Sequence, residues 1–410
     1  MPVTGSITTR FIDEKGLDLG KTLIEKDYLI SVYPNILNQF DTPMLMTCGF
    51  NTYGGLGDNT VVKKSSPIQT IAYGANWKQV SSGYDFCAGI KTDGTLWTWG
   101  SNSENGRTFA TGQIGDNTTT DKSSPVQTVT FGTNWKQVAC GWMHTMAVKT
   151  DGTLWGWGYA GTGCLGDNTT SSKSSPVQTI AGGTNWKQVS AGRLHTAAVK
   201  TDGTLWTWGY NASGQLGDNS VTQRNSPVQT VAFGTNWIQV TAGYQSTAGI
   251  KADGTLWTWG MNTSGQLGDN TTVSRSSPVQ TVAFGTNWAR IQPFTGQHMF
   301  ATKTNGTLWG WGQGTSGQLG ENIASSNRSS PVQTVTFATN WKFAAGGLIH
   351  TAAIKTDGTL WFWGSNDNGQ YGNNTVTGGA SPVQSMLYGT TWKSISCGRS
   401  TMFAIKDGDF

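Results

Sequence analysis

The chain has 410 residues, of which 12% are charged, 56 are glycine and 20 are tryptophan, and its formal net charge is +4. Its lysines and arginines are distributed over the whole length, so no nucleic-acid partner is expected, and no run of about 18 apolar residues marks a membrane-spanning helix. The five cysteines show no paired spacing, which predicts neither a disulfide framework nor a zinc site.

Residues 1–43 resemble no later part of the chain and are predicted to be a separate N-terminal extension. A secretory signal would need an apolar core where charged residues such as Arg10 and Lys15 stand, so classical export is not expected. A short amphipathic helix is predicted over residues 21–31, and a helix of that length needs a surface on which to dock. We therefore expect residues 1–43 to act as an anchor and residues 44–410 to form the main domain.

From residue 44 onward the chain repeats one sequence pattern seven times, with a period of about 50 residues. Each copy contains a strand-like stretch that ends in Trp-Gly or its equivalent. The seven marker pairs are Cys48-Gly49, Trp99-Gly100, Trp157-Gly158, Trp208-Gly209, Trp259-Gly260, Trp311-Gly312 and Trp363-Gly364. Units of this kind cannot bury their apolar faces alone, so they stack on their neighbours.

Each repeat reads as four short strands separated by turns. Residues 204–208 (TLWTW) place two tryptophans on one face, the alternation of a strand, and Asp202-Gly203 before them predicts a tight hairpin turn. Pro227 marks an outer strand, because proline lacks the N–H that an inner strand needs. Residues 236–240 and 195–199 supply two further strands, and the small side chains of the latter are expected at the narrow inner end of a wedge.

Seven repeats of four antiparallel strands predict an all-β fold, a seven-bladed β-propeller. The last repeat stops where the next TLWTWG strand would begin, and residues 44–49 are the equivalent of that strand. We therefore predict that one blade combines residues 392–406 with residues 45–69. This pairing of the two chain ends would close the ring and remove its free sheet edges.

The stretches GYNASGQLGDN (residues 209–219) and GRLHTAAVKTDGTLWTWG (residues 192–209) resemble the regulator of chromosome condensation repeat family. The resemblance covers about nine tenths of the chain. It implies seven-bladed propellers that serve as non-catalytic binding platforms, so neither an enzyme nor a cofactor is expected. The family includes an exchange factor for the small GTPase Ran, plant ultraviolet-B photoreceptors and accessory domains of ubiquitin ligases, and function does not transfer with the fold.

Side chains that recur in every repeat are expected to serve the fold. The aspartates of the GDN turns, Asp116, Asp167, Asp218 and Asp269, are predicted to form turns rather than a catalytic pair, and no G-x-S-x-G elbow is present. All four histidines, His144, His195, His298 and His350, occupy one repeat position. A metal held by a ring of imidazoles is one interpretation. Resemblance to the family's G-x-x-H-T-x-A motif implies structural, hydrogen-bonding histidines instead.

Function is therefore expected where the copies differ, at the positions just after a repeated glycine. The candidate interaction residues there are Tyr84, Asp85, Trp142, Met143, Arg193, Tyr244, Gln297, Leu348 and Arg399. We predict that they cluster around one mouth of the channel, and their tyrosine, tryptophan and arginine content is typical of interface hot spots. A long loop in the second unit adds Arg107 and Phe109. The alternative is that all of these are loop residues under weak restraint, and that the long loop is a tolerated insertion.

The resemblance also argues against two of the family's activities. The photoreceptors use several tryptophans in a G-W-x-H-T motif, which only residues 141–145 match here. The Ran exchange factor presents acidic residues on this face, where Asp85 is nearly alone.

Two functional hypotheses remain from the sequence. In the first, the chain is of a phage or bacterial type and is a virion or surface component, released by lysis, whose extension anchors it in a larger protein assembly. Its propeller would then attach to a host surface protein or glycan. In the second, it is a cytoplasmic regulator that binds a GTPase or an enzyme through the channel mouth.

Overall fold

The computed structural model describes residues 43–71, 76–103, 111–130, 132–180, 183–231, 234–282, 285–292, 294–336, 338–385 and 390–407. Within these ranges the secondary structure consists of 28 β-strands. No helix long and apolar enough to cross a membrane occurs among the described residues. The predicted helix over residues 21–31 and the anchor role of residues 1–43 fall outside the described residues, apart from Pro43, and both stay predictions.

The strands form seven four-stranded antiparallel sheets, so the predicted seven-bladed propeller is confirmed. In chain order the strands are β1 Met44–Gly49, β2 Lys64–Gln69, β3 Trp77–Ser82, β4 Phe86–Lys91, β5 Leu96–Gly100, β6 Lys122–Gln127, β7 Trp135–Cys140, β8 His144–Lys149, β9 Leu154–Gly158, β10 Lys173–Gln178, β11 Trp186–Ala191, β12 His195–Lys200, β13 Leu205–Gly209 and β14 Arg224–Gln229. They continue with β15 Trp237–Ala242, β16 Ser246–Lys251, β17 Leu256–Gly260, β18 Arg275–Gln280, β19 Trp288–Ile291, β20 His298–Lys303, β21 Leu308–Gly312, β22 Arg328–Gln333, β23 Trp341–Gly346, β24 His350–Lys355, β25 Leu360–Gly364, β26 Gly379–Gln384, β27 Trp392–Cys397 and β28 Thr401–Lys406.

Blades 1 to 6 each consist of four consecutive strands, beginning with β3, β7, β11, β15, β19 and β23. Blade 7 is made from both ends of the propeller, in the order β27, β28, β1 and β2. Its central pair runs from Met44 opposite Lys406 to Gly49 opposite Thr401. The predicted closure of the ring by its two ends is therefore confirmed.

The first strand of each blade lines the central channel, which corrects one expectation. The small-residue strand β12 is second in its blade, and the tryptophan-bearing strand β11 lies inside it. The second strands are buried along almost their whole length between neighbouring blades, and their small residues make room for indole rings. A Cβ added to Gly249 would lie 2.7 Å from the Trp237 ring. Small side chains therefore mark the tightest packing between blades rather than the inner edge.

Adjacent blades are joined by a contact that recurs around the ring. The indole N–H of Trp208, on the third strand of blade 3, donates a 2.9 Å hydrogen bond to the Cys164 carbonyl in the preceding blade. The equivalent tryptophans of blades 1, 2, 4, 5 and 6 make the same bond. In blade 7 the Cys48 thiol takes this place, 3.4 Å from the Gln370 carbonyl. Because buried polar groups are costly when unpaired, these bonds fix the spacing of the blades.

The GDN turns, with Gly-Glu-Asn in blade 5 and Gly-Asn-Asn in blade 6, tie each blade to the next at its outer strand. The asparagine of each turn has a positive φ of 60 to 63°, a conformation that asparagine tolerates better than most residues. The N–H of Asn219 donates a hydrogen bond to the Ser276 carbonyl at 2.9 Å. Between blades 6 and 7, the N–H of Asn374 donates one to the Ser65 carbonyl at 2.8 Å. The aspartate stabilises the turn, since Asp218 accepts from Ser220 and pairs with Arg224 at 2.9 Å.

Candidate interaction surface

At one end of the channel, the turns between the first and second strands of adjacent blades hydrogen-bond to one another. The main-chain N–H of Trp142 bonds to the Gly192 carbonyl, and that of Arg193 to the Gly243 carbonyl at 2.9 Å, so each turn rests on the next. These glycines are required by close approach, because a Cβ on Gly192 would lie 2.5 Å from the Gly243 oxygen. The turns therefore form a rigid base from which their side chains project.

Blade 5 departs from this pattern and closes the channel at this end. Phe294 is 4% exposed, and its ring packs against Gly243, where a Cβ would lie 1.6 Å from a ring carbon. Thr295 donates its main-chain N–H to Gly346 of blade 6 at 3.0 Å, and its hydroxyl lies 3.5 Å from the Gly398 carbonyl of blade 7. Phe294 and Thr295 thus reach blades 4, 6 and 7 and act as a plug. A partner at this end meets a closed surface and not an open mouth.

Four predicted residues form a stacked row over blades 1 to 4. The Tyr84 and Trp142 rings have centroids 4.2 Å apart. The Arg193 guanidinium lies 4.5 Å from the Trp142 ring centroid and 4.7 Å from that of Tyr244, whose hydroxyl accepts a 2.7 Å hydrogen bond from Arg193. Cation–π contacts of this kind hold a long side chain in one position.

Blade 7 extends this row with an arginine and an aromatic ring. The Arg399 guanidinium lies 4.9 Å from the Tyr84 ring centroid and 5.6 Å from that of Phe50. We call the continuous surface over blades 7, 1, 2, 3 and 4 the aromatic–arginine arc. Its members are Phe50, Tyr84, Trp142, Arg193, Tyr244 and Arg399.

Asp85 lies beneath the arc as a buried carboxylate. It is 6% exposed, and its Oδ2 is 3.7 Å from an Arg399 nitrogen. Burial raises the pKa of Asp85 to about 6, and the Arg399 guanidinium opposes that rise. Asp85 therefore holds Arg399 in place from below and is not a surface contact.

The remaining predicted positions lie on the same turns but outside the arc. The carbonyl of Met143 accepts the Tyr159 N–H at 2.8 Å, and the Gln297 side chain accepts from Ser264. Leu348 is half-buried and donates its N–H to the Arg399 carbonyl. Arg107 and Phe109 lie outside the described residues, so the prediction for the long loop stays open.

Sequence reasoning missed two contributors to this end. Phe50 follows the repeat glycine of a third strand, a position that also varies among the copies, as Ser101, Tyr159 and Met261 show. The plug has a sequence signal too. Blade 5 has one more residue between Trp288 and His298 than blade 6 has between Trp341 and His350, or blade 4 between Trp237 and Ser246.

The four histidines are buried in the interfaces between adjacent blades, which we call the seams, and are not gathered around the axis. His144, His195 and His298 each place Nε2 within 3.1 Å of a threonine hydroxyl in the next blade. Burial lowers the pKa of these three to about 3, so they are neutral near pH 7. His350 is also buried, and Met402 stands where the three other histidines meet a threonine of the next blade. No group of three or more metal-ligating side chains occurs among the described residues.

These features define a closed seven-bladed β-propeller whose repeats differ mainly in the loops at one end. The chain belongs to the RCC1-like domain family, which matches residues 41–348 and, in a second alignment, residues 110–410.

Among curated proteins, the chain is 32% identical over 277 residues to the Ultraviolet-B receptor UVR8 of Arabidopsis thaliana, an alignment that covers 66% of this chain and 61% of the receptor. It is 27% identical over 373 residues to the human E3 ubiquitin-protein ligase HERC2, covering 87% of this chain and 7% of the ligase. The chain thus spans less than two thirds of these relatives.

Solved structures share this fold. Human WBSCR16 matches with a TM-score of 0.79 at 19% identity, covering 90% of this chain and all of that one. Prp20p from Saccharomyces cerevisiae, described with its binding to Gsp1p and histones, matches with a TM-score of 0.78 at 17% identity, covering 90% of this chain and 92% of that one. The relatives named here are plant, human and yeast proteins, so the phage or bacterial type expected from the sequence is not confirmed.

Proposed function

We propose that this chain is a non-enzymatic regulator that binds a partner protein through the aromatic–arginine arc. The observation that carries the proposal is the arc itself, which joins the loops of five blades into one stacked surface above a closed base. Tyrosine, tryptophan and arginine are the residues that most often dominate the energy of protein interfaces. Side chains already held by stacking lose little conformational freedom on binding, which favours affinity.

The relatives named above, a receptor and a ubiquitin ligase, favour this regulator over the virion component expected from the sequence, for which the comparisons give no support. Prp20p is described with its binding to Gsp1p and histones, which supports a protein as the partner class. For this chain we propose a protein partner of the same general kind, in an intracellular setting.

Site-specific photo-crosslinking tests the proposal. Benzoyl-phenylalanine in place of Tyr84 is expected to capture one partner from cells, and the same group in place of Ile238 serves as the matched control. Ile238 is 43% exposed at the opposite end of its blade's first strand. The captured protein is then purified and its affinity measured for the wild type, for Arg193→Ala and for Ile238→Ala.

Arg193→Ala is expected to weaken binding at least about tenfold, as for an interface hot spot, while Ile238→Ala binds like the wild type. Equal capture from both crosslinking sites, or an unchanged affinity of Arg193→Ala, would remove the arc as the binding surface.

A further inference from the structure

The end of the channel opposite the arc carries a ring of cations. In each blade the register of the first and second strands shifts just after the first tryptophan, so the next residue is the extra residue of a β-bulge. Five blades place an exposed lysine there, and we call these five the lysine ring. They are Lys78, Lys136, Lys187, Lys342 and Lys393. Blades 4 and 5 have Ile238 and Ala289 at this position, and Arg290 follows directly in blade 5.

Most of this charge is uncompensated. Lys393 pairs with Asp407 at 2.5 Å, whereas the other four lysines of the ring have no carboxylate within 4.0 Å in the described ranges. The aspartates of the DG turns lie at the same end, but they are engaged elsewhere. Asp202, for example, accepts two hydrogen bonds from Thr204 and interacts with Lys200 of the second strand. The lysine ring therefore leaves a local excess of positive charge.

Behind the lysine ring lies a blind cavity of about 430 Å³, within the range of small-ligand sites. First strands of all seven blades line it, and its far end is the plug of Phe294 and Thr295. Lys78, Arg290 and Lys393 are its charged lining residues, and no carboxylate lines it in the part of the chain that the structure describes. Hydroxyl groups add donors along the wall, from Ser81, Ser190, Thr241, Ser394 and Ser396.

We propose that the lysine ring and this cavity bind a small, multiply charged oxyanion, either a polyphosphate or a polycarboxylate. Two lysines of the ring, Lys78 and Lys393, line this cavity together with Arg290, and charge-assisted hydrogen bonds to anionic oxygens are about twice as strong as neutral ones. The plug limits the ligand to one that enters from the lysine end. This site lies at the opposite end of the channel from the arc, so it stands independently of the proposed regulator function.

Calorimetric titration of the full-length protein with inorganic tripolyphosphate and with citrate tests the site and distinguishes the two sources of anionic oxygens. One of the two anions is expected to bind one-to-one. Lys78→Gln/Lys342→Gln is expected to weaken binding about tenfold, because one charge that lines the cavity and a second charge of the lysine ring are lost. A control, Lys63→Gln/Lys122→Gln, removes the same charge from the outer edge of the propeller and is expected to change the affinity less than about twofold.

A gain of affinity provides a test that misfolding cannot imitate. Ile238→Lys extends the lysine ring into blade 4 at an exposed position and is expected to tighten binding about threefold, less at high ionic strength. The proposal is overturned if neither anion binds the wild type, or if the control loses as much affinity as Lys78→Gln/Lys342→Gln. Poly-glutamate is titrated in parallel. If it binds and neither small anion does, the proposal is also overturned, because the lysines would then form a surface for an extended acidic protein.

Discussion

The seams between blades and the turns at the arc end show opposite kinds of construction. At the seams one set of contacts recurs around the whole ring, from the Trp208 indole bonded to the preceding blade to its Cys48 counterpart in blade 7. At the arc end the side chains after the repeated glycine differ from copy to copy, and those of five blades stack on one another. Under the proposed function, this difference separates the residues that stabilise the fold from the residues that bind a partner. Substitutions at a seam should reduce stability, and substitutions in the arc should reduce binding.

The largest effect is expected from Trp208→Ala in a seam. The change leaves a cavity and removes one of the two hydrogen bonds that the Cys164 carbonyl accepts, the other coming from the Thr196 hydroxyl, and we expect it to cost about 3 to 5 kcal/mol of unfolding free energy. Denaturant titration measures this loss. Cys48→Ala at the equivalent position of blade 7 is the matched comparison and should cost clearly less, because a thiol fills less space. Equal losses would contradict the packing account of the seams.

The buried histidines should make the seams sensitive to acid. Their folded-state pKa of about 3 lies below the unfolded value of about 6.5, so their contribution to stability is complete above pH 6.5 and is lost as the pH falls towards 3. His195→Ser, which copies Ser246 of blade 4, should reduce the fall in unfolding free energy between pH 7 and pH 5 by about 2 kcal/mol. Denaturant titrations at both pH values test this, and an unchanged pH dependence would count against a neutral, buried His195.

Asp85 should behave in the opposite sense at the arc end. Its folded-state pKa of about 6 lies above the unfolded value, so its ionisation destabilises the fold progressively as the pH rises from about 4 through 6. Asp85→Asn should therefore be more stable than the wild type at pH 8 by about 2 kcal/mol, and equal to it near pH 4. A loss of stability at pH 8 would show that the ion pair with Arg399 outweighs the cost of burial.

The smallest effect on stability is expected within the arc. Arg193→Ala removes two half-buried cation–π contacts and the hydrogen bond to the Tyr244 hydroxyl, and it should change the unfolding free energy by only about 1 kcal/mol. The same variant should show the large loss of partner binding described above. A loss of several kcal/mol would instead make the arc a structural element, and the separation of stability from recognition would fail.

The repeats made most of the fold predictable from the sequence. The alternation in residues 204–208, the DG turns and the missing last strand define the blades and the closure, because each signal recurs in several copies. The prediction that the small-residue strand lies at the inner edge of its blade was wrong. Small side chains are also needed where a strand packs closely on both faces, and this is their role in β12.

The candidate surface was less predictable for a physical reason. The sequence marks Tyr84, Trp142 and Arg193 as variable, but their stacking depends on side-chain directions from turns that lie far apart in the chain. The plug depends on one additional residue in blade 5, whose effect on Phe294 cannot be judged without its neighbours Gly243 and Gly346.

Hydrogen–deuterium exchange of the propeller with and without its captured partner tests the central claim most directly. We predict slower exchange at the first-to-second-strand turns of blades 7, 1, 2, 3 and 4, and no change at the DG turns on the other end. Protection confined to the DG turns, or spread equally over both ends, would contradict the assignment of recognition to the aromatic–arginine arc.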